Sequence, residues 1–354
     1  MMTVTTVGPR RHPARLPVRT VALAAVATLV ALLVAVAIGP AEVAPRELLT
    51  VLIDRLPGVE IDHGVGATTA AIVTEVRLPR VLLAAVVGAV LATAGGAYQA
   101  TFHNPLADPY LLGVASGAGL GVTVAITETG SSIGTVGVGT TAAAFVGALG
   151  AVGLAYALGV GAGRRSGASL ILAGVAVAAL ASSLQTLLLQ RDDEAIRDVY
   201  AWLLGRFNTA GWDDLALLAP LAALGIGVLI GAARRLDVLA LGDDEAQTLG
   251  IRPRRLRLLV VVTATLATAA AVAVSGLIGF VGIVVPHAIR LIAGPSYRRI
   301  LPLAVFVGAA FLSLADLGAR TLLSPAELPI GVLTAAVGAP CFLLLLRARR
   351  VGPS

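Results

Sequence analysis

The side chains in this 354-residue chain that could carry out chemistry are few and far apart. Cys341 is the single cysteine, so the chain can form no internal disulfide, CxxC motif or cysteine-based zinc site. His287 follows Pro286 in an apolar segment, and we interpret it as a hydrogen-bonding group of the core rather than a metal ligand. The remaining histidines are too scattered to form a site with it: His12, His63 and His103. No Ser/His/Asp set, carboxylate pair or metal cluster is evident, so no catalytic residue is predicted.

The basic residues exclude further classes of chemistry, because all 26 are arginine and none is lysine. A P-loop needs its lysine to reach the nucleotide phosphates, so this chain is not its own conventional P-loop ATPase. Schiff-base catalysis is excluded for the same reason. The arginines cluster in alternate loops rather than on one continuous face, so we predict no nucleic-acid partner.

A short charged stretch interrupts the apolar sequence near residue 240. Asp243, Asp244 and Glu245 lie between Gly242 and Gly250, a spacing that predicts about two turns of helix with acids in the first turn, where the helix dipole favours them. Its apolar side contains Leu239, Leu241, Ala246, Leu249 and Ile251. So short a helix is marginal alone in water and needs a surface. That surface is either lipid headgroups or a soluble partner protein, and acids beside an anionic bilayer favour the partner.

The elements that carry these residues are predicted to be membrane helices. Hydrophobic residues make up 57% of the chain and charged residues only 13%, and a helix needs about 20 apolar residues to span a bilayer. We therefore predict an all-α polytopic membrane protein with one domain of ten transmembrane helices at 19–347, a tail at 1–18 and another at 348–354. The predicted spans are 19–39, 80–101, 110–127, 136–161, 168–190, 214–233, 257–275, 277–293, 301–319 and 328–347. The eighth is short, contains Gly279, Gly282 and Pro286, and could be a broken helix.

The distribution of arginine predicts the orientation. With ten spans, the termini and the even-numbered loops share one side, which holds 18 arginines and 5 acids, against 8 arginines and 15 acids opposite. We therefore expect both termini and the charged stretch at 239–251 to be cytoplasmic.

Four blocks of sequence, in order, resemble one known family. The first is Arg77-Leu-Pro-Arg80, followed by Gly88, Gly95, Gly96 and Gln99. The second joins Asn104-Pro-Leu-Ala-Asp-Pro109 to Leu112–Ala118, and the third runs from Gly242 to Gly250. The fourth comprises Gly276–Gly282, Val285-Pro-His287, Ala326–Gly331 and Gly338-Ala-Pro340. With these blocks the chain, from about residue 20 to 347, resembles the FecCD/BtuC-type permease subunits of iron-siderophore, haem and vitamin B12 importers of the ATP-binding cassette (ABC) class.

The resemblance implies a type II ABC importer fold and roles for particular residues. Arg77, Arg80 and Arg320 match arginines that dock an extracytoplasmic binding protein; snorkelling for the first two, and an ion pair between Arg320 and Asp316, are the plainer readings. A cytoplasmic gate is implied at Asn104, Leu106, Ser166 and Gly167, although the family has a hydroxyl residue where this chain has Gly167. The segment at about 239–251 corresponds to the coupling helix that contacts the ATPase, with residues Leu239, Leu241, Gly242, Asp243, Asp244, Glu245, Ala246, Leu249 and Gly250.

The same resemblance implies the partners and the cargo. The chain would work in the bacterial cytoplasmic membrane with a second permease subunit, identical or paralogous, two ATPase subunits and a binding protein. It would bind no cofactor itself, since ATP would act on the ATPases. A ferric siderophore is the first expected cargo, with haem or cobalamin as alternatives. A secondary transporter driven by an ion gradient is the alternative from a different class, and it would have unpaired acidic side chains near the middle of the membrane. An intramembrane enzyme would have a catalytic pair of polar side chains deep in the membrane.

Overall fold

The computed structural model describes residues 17–41, 43–54, 65–129, 138–161 and 167–350. Within these ranges the regular elements are helices, and ten of them coincide with the predicted spans. They are α1 (Val18–Ala37), α4 (Leu78–Thr101), α5 (Val114–Thr129), α6 (Val138–Gly161), α7 (Gly167–Leu189), α9 (Trp212–Leu239), α11 (Pro253–Ser275), α12 (Val281–Ala293), α13 (Tyr297–Thr321) and α14 (Ile330–Arg350). Four short helices join them: α2 (Pro45–Asp54), α3 (Ala67–Ala71), α8 (Asp193–Leu203) and α10 (Asp243–Thr248). Seven of the described helices are long and apolar enough to cross a membrane, and three more are apolar but shorter.

The all-α membrane fold is therefore confirmed, and so is the shortness of the eighth span. Helix α12 has only 13 residues and begins after a non-helical segment, 276–280. The third span is also shorter than predicted: residues 110–112 form part of a 3-10 turn, Pro109–Leu112, and α5 begins only after Gly113, whose φ of 87° favours glycine. We refer to 102–113 and 276–280 as the two interruptions.

The two interruptions contact each other inside the bundle. The Tyr110 hydroxyl donates a hydrogen bond to the Ile278 carbonyl and accepts one from the Ile278 amide, each at 3.1 Å. The Gln99 side chain on α4 donates to the Gly282 carbonyl at 3.1 Å. These bonds satisfy backbone groups that an unbroken helix would satisfy internally, as an apolar surrounding requires.

Helix α4 lies at the centre of the bundle, in contact with α1, α9, α11, α12 and α13. Glycines permit its closest contacts. A Cβ atom added at Gly88 would lie 2.2 Å from the carbonyl oxygen of Gly308 on α13, and one at Gly95 would lie 2.1 Å from the carbonyl oxygen of Gly282 on α12. Since the obstructing atoms are backbone, no rotamer change can relieve the clash. The small residues of the first sequence block are thus packing residues.

We predict that Gly88→Ala lowers the thermal stability of the protein, because α4 and α13 must separate to admit the methyl group. Overpacking of this kind costs about 1–3 kcal/mol. The matched control is Gly227→Ala on α9, where an added Cβ meets nothing within 4 Å and helix propensity favours alanine by up to about 1 kcal/mol. The measurement is the unfolding midpoint of the purified protein in detergent. Equal midpoints for the two variants would contradict the packing argument.

Candidate functional site

Helix α10 is fixed by backbone geometry at both of its ends. Gly242 precedes it with φ 132°, and Gly250 follows it with φ 78°. The amide of Gly250 donates to the Gln247 carbonyl and that of Ile251 to the Ala246 carbonyl, each at 2.9 Å, in a Schellman motif. Glycine is favoured at both positions because their φ values lie in the left-handed region. The predicted helix between these two glycines is confirmed.

A partly buried ion pair attaches α10 to the bundle. The Arg257 guanidinium on α11 donates to both Asp243 oxygens, at 2.8 and 2.5 Å, and its Nε donates to the Thr101 carbonyl at the end of α4. Because Arg257 binds the charged form of the carboxylate, the pKa of Asp243 lies below its usual value. One guanidinium thus joins α10, α11 and α4.

The sequence-predicted coupling residues divide into a buried and an exposed set. Leu239 and Ala246 are fully buried against the bundle. Leu241 and Leu249 are 64% and 61% exposed, respectively, and the exposed acids Asp244 and Glu245 accompany them. Beside α10, a groove of about 850 Å³ opens toward α11 and is lined by acids of α10 and by arginines: Arg252, Arg254, Arg255 and Arg257. This side of α10 presents apolar and charged groups that no described part of the chain covers.

The opposite end of the bundle contains a buried cluster of charges. Arg80 donates to both oxygens of Asp316 at 2.8–3.1 Å and to both oxygens of Glu327 at 3.0 Å. Asp316 also lies 3.7 Å from Arg320, four residues along α13. The expected Asp316–Arg320 pair therefore exists, but the closer partner of Asp316 is Arg80. We call this end, with Arg77, Arg80, Arg320, Asp316 and Glu327, the arginine cluster.

The other two arginines of the cluster hold the end of α1. Arg77 donates to the carbonyls of Val36, Ala37 and Ala41, and Arg320 donates to the carbonyl of Ala35. A helix leaves its last four carbonyls without partners and carries a partial negative charge there, so cations are favoured at that position. The structure thus brings the three predicted docking arginines together. All three are buried, however, with exposed fractions of 3% for Arg77, 8% for Arg80 and 2% for Arg320.

The predicted gate is only partly described. Asn104 begins a turn, in which its side-chain oxygen accepts from the Leu106 amide at 2.9 Å, and Leu106 is 38% exposed. Gly167 is the first residue of α7, and Ser166 lies outside the described residues. Whether the two predicted gate segments meet is therefore not tested.

Three residues near these sites received no role from the sequence. Tyr110 and Gln99 stabilise the interruptions, and Glu327 completes the coordination of Arg80. Gln99 and Glu327 lie within the sequence blocks, but nothing in a single sequence shows which backbone group or cation they face. No three histidine, cysteine, aspartate or glutamate side chains in the described ranges lie together as a metal site would require.

We predict that Asp243→Asn destabilises the protein at neutral pH and that this difference disappears in acid. The lowered pKa means that the Asp243–Arg257 pair contributes fully above the unfolded carboxyl pKa of 3.8 and is lost as the pH falls through the folded value. The measurement is the unfolding midpoint of both proteins between pH 7 and pH 3. Asp244→Asn, which removes an exposed neighbouring charge, is the control and should match the wild type throughout. A difference for Asp243→Asn that does not shrink as the pH is lowered below 3.8 would contradict the assignment.

Comparison with known proteins agrees with the fold and the sequence blocks. Residues 27–348 match the model of the FecCD transport family. The chain is similar to the cobalamin import system permease protein BtuC of Halobacterium salinarum, with 38% identity over 96% of this chain and 91% of the relative. It is similar to the Fe(3+) dicitrate transport system permease protein FecC of Escherichia coli, with 36% identity over 79% of this chain and 84% of the relative.

A solved structure supports the same assignment. A metal-chelate type ABC transporter in an inward-facing conformation matches with a TM-score of 0.80 and 32% identity, over 93% of this chain and 99% of that chain. The family match covers most of the chain and includes all four sequence blocks. This multi-pass membrane protein is therefore a member of the FecCD transport family of ABC importer permeases.

Proposed function

We propose that the chain is the permease subunit of an ABC importer that moves a ferric siderophore by alternating access. Two permease subunits, identical or paralogous, enclose the pathway, and two separate ATPase subunits bind and hydrolyse ATP. An extracytoplasmic binding protein delivers the cargo at the arginine cluster. The α10 end, with both termini, faces the cytoplasm of a bacterial cell.

The observation that best supports this proposal is the construction of α10. A six-residue helix is too short to be stable alone, yet here two glycine turns and the Arg257 ion pair hold it with Leu241 and Leu249 projecting outward. A chain that only had to close a loop would have no need of two exposed leucines, one on each side of a helix that is attached to the bundle. Apolar groups amid charges, as in this helix and the adjacent groove, are typical of the core of a protein interface.

The cargo assignment is supported by the proteins to which the chain is similar. FecC is named for ferric dicitrate, and the matching solved structure for metal chelates. Cobalamin is the second candidate, favoured by the match of the Halobacterium protein over almost the whole chain, and haem is a third metal chelate. The gradient-driven alternative is not favoured, because Asp316, the acid that the sequence places nearest the membrane, is paired with Arg80.

Reconstitution tests the proposal. The permease, its ATPase and its binding protein in liposomes should accumulate ferric siderophore only with ATP, and ionophores should not abolish uptake. Replacing Leu241 and Leu249 together by alanine should prevent ATPase assembly and reduce uptake at least about tenfold, the effect of losing about 1.4 kcal/mol or more from an interface. Leu224→Ala, the same truncation at an exposed position of α9 outside the groove, should be neutral. Uptake without the ATPase, or uptake of cobalamin or haem but not ferric siderophore, would contradict the mechanism or the cargo, respectively.

The docking proposal needs a rearrangement, since all three arginines are buried within the chain. An acidic side chain of the binding protein would have to replace Glu327, the more exposed of the two carboxylates on Arg80, with 34% of its side chain exposed. Asp316 would remain, so Arg80 would keep one carboxylate partner throughout. Exchange of one carboxylate for another avoids leaving a buried guanidinium unpaired.

We therefore predict that Glu327→Gln strengthens binding-protein docking, because it removes the internal competitor for Arg80, whereas Arg80→Gln weakens it. The measurement is the dissociation constant of the binding protein for the permease in nanodiscs. Glu194→Gln, an exposed change on α8, serves as the control. If Glu327→Gln weakens docking, or if Arg80→Gln folds and docks normally, the proposed exchange of carboxylates on Arg80 is contradicted.

A further inference from the structure

A cavity of about 210 Å³ lies at the α10 end, apart from the groove beside α10. Its wall includes Gln99 and Ala100 on α4, His103, Ala240, Arg290 on α12 and Tyr297 on α13. Four of these side chains carry N–H or O–H donors, and none of the described residues that line the wall is a carboxylate. The volume is several times the roughly 30 Å³ that one water molecule occupies in the liquid. The cavity can therefore accept a small group, and its chemistry favours a hydrogen-bond acceptor.

Arg290 is the residue in the cavity wall that has a donor nitrogen for which the described residues offer no hydrogen-bond acceptor. Its Nη2 donates to the neutral amide oxygen of Gln99 at 2.7 Å. Its Nη1 is enclosed, and within the described ranges no atom accepts a hydrogen bond from it. The Tyr297 side chain is a hydrogen-bond partner of the guanidinium, although it does not satisfy Nη1. A buried charge is normally paired, and a buried donor without an acceptor needs an explanation, such as an ion.

The surrounding charges do not supply the missing acceptor. Asp237 on α9 already accepts from Ser296, from the Tyr297 amide and from Arg298. The C-terminus of α12, near which Arg290 lies, offers about half an elementary charge, and the carbonyl groups of that turn make no hydrogen bond to Nη1. A full positive charge is therefore only partly balanced by the protein.

We propose that this cavity binds a phosphate group, either that of an anionic phospholipid or free inorganic phosphate. A guanidinium offers parallel donors that fit phosphate oxygens, with the Tyr297 hydroxyl beside it. Basic pockets between transmembrane helices, at the cytoplasmic side, are typical sites for lipid phosphates. Apart from the side of the membrane, which follows the orientation given above, the inference does not depend on the transported cargo or on the ATPase.

The cavity lies where α4, α12 and the segment before α10 meet, so a bound phosphate would affect the contacts among them. The His103 ring makes a 2.7 Å hydrogen bond with the Leu239 carbonyl, immediately before Ala240 and α10. Gln99, which holds Arg290, also holds Gly282 at the start of α12. A phosphate bound by Arg290 would thus join the base of α10, the end of α4 and α12, and should stabilise the whole fold.

Ligand-dependent stability tests the site on the full-length chain, purified in detergent and stripped of lipid. Two probes are titrated while the unfolding midpoint is followed: sodium phosphate against sodium chloride at equal ionic strength, and phosphatidylglycerol against phosphatidylcholine. Native mass spectrometry counts retained lipid. The variants are Arg290→Gln, Arg290→Lys, which keeps the charge, and Arg235→Gln, which removes an exposed arginine of α9 outside the cavity.

We expect phosphate or phosphatidylglycerol to raise the wild-type midpoint, and the half-saturating concentration to rise at least about tenfold in Arg290→Gln, the equivalent of one lost charged hydrogen bond. Arg235→Gln should match the wild type and Arg290→Lys should lie between. A response to phosphatidylglycerol alone assigns the lipid, and one to inorganic phosphate assigns the free ion. If neither probe exceeds its control, or if Arg290→Gln responds like the wild type, the site does not exist. The titration of the wild type tests the site without any variant. The proposal can therefore still be refuted if a variant fails to fold.

Discussion

A backbone group that leaves its helix inside an apolar bundle must find another partner, and this requirement organises the centre of the molecule. The segment 102–113, which joins α4 to α5, and the segment 276–280, which joins α11 to α12, lie against each other. Tyr110 supplies both a donor and an acceptor to Ile278, and Gln99 a donor to Gly282. Water cannot do this in hydrocarbon. The short lengths of α5 and α12 and the glycine that lets α4 and α12 meet are consistent with satisfying these groups.

Buried guanidinium groups perform a related task at the two ends. Arg77 and Arg320 donate hydrogen bonds to the last carbonyl groups of α1, which water would bind at the end of a helix in a soluble protein. Arg257 does the same for the last turn of α4, since it donates to the Thr101 carbonyl while binding Asp243. In each case a long planar cation reaches carbonyls of one helix from another. The absence of lysine from the chain fits this use, because one guanidinium carries five donors in a fixed geometry.

The sequence predicted the helices well because each one is a long apolar run bounded by charge, proline or glycine. It also predicted α10, since Gly242 and Gly250 mark the ends and the acids mark the first turn. It did not predict that residues 110–113 leave the helix, because Tyr110, Leu111 and Leu112 are as apolar as their neighbours and only the φ of Gly113 distinguishes them. Nor could it show that Arg80, rather than Arg320, is the closer partner of Asp316. That pairing joins positions 236 residues apart, whereas periodicity reports only on neighbours along one helix.

The two ends and the centre form one connected set of contacts. From α10, Asp243 binds Arg257, which binds the end of α4, and Leu239 binds His103 in the first interruption. That interruption continues to Tyr110 and so to the second one, while α4 runs to Arg80 and the arginine cluster at the opposite end. These hydrogen bonds and ion pairs engage backbone carbonyls and charged groups that are buried or partly buried, so stretching one of them costs the free energy of that interaction. A displacement of α10 therefore has to be taken up by movement of the interruptions or of α4 as a rigid rod. Because no continuous helix runs through the interruptions, they are the places in this set of contacts where the backbone has the least resistance to bending.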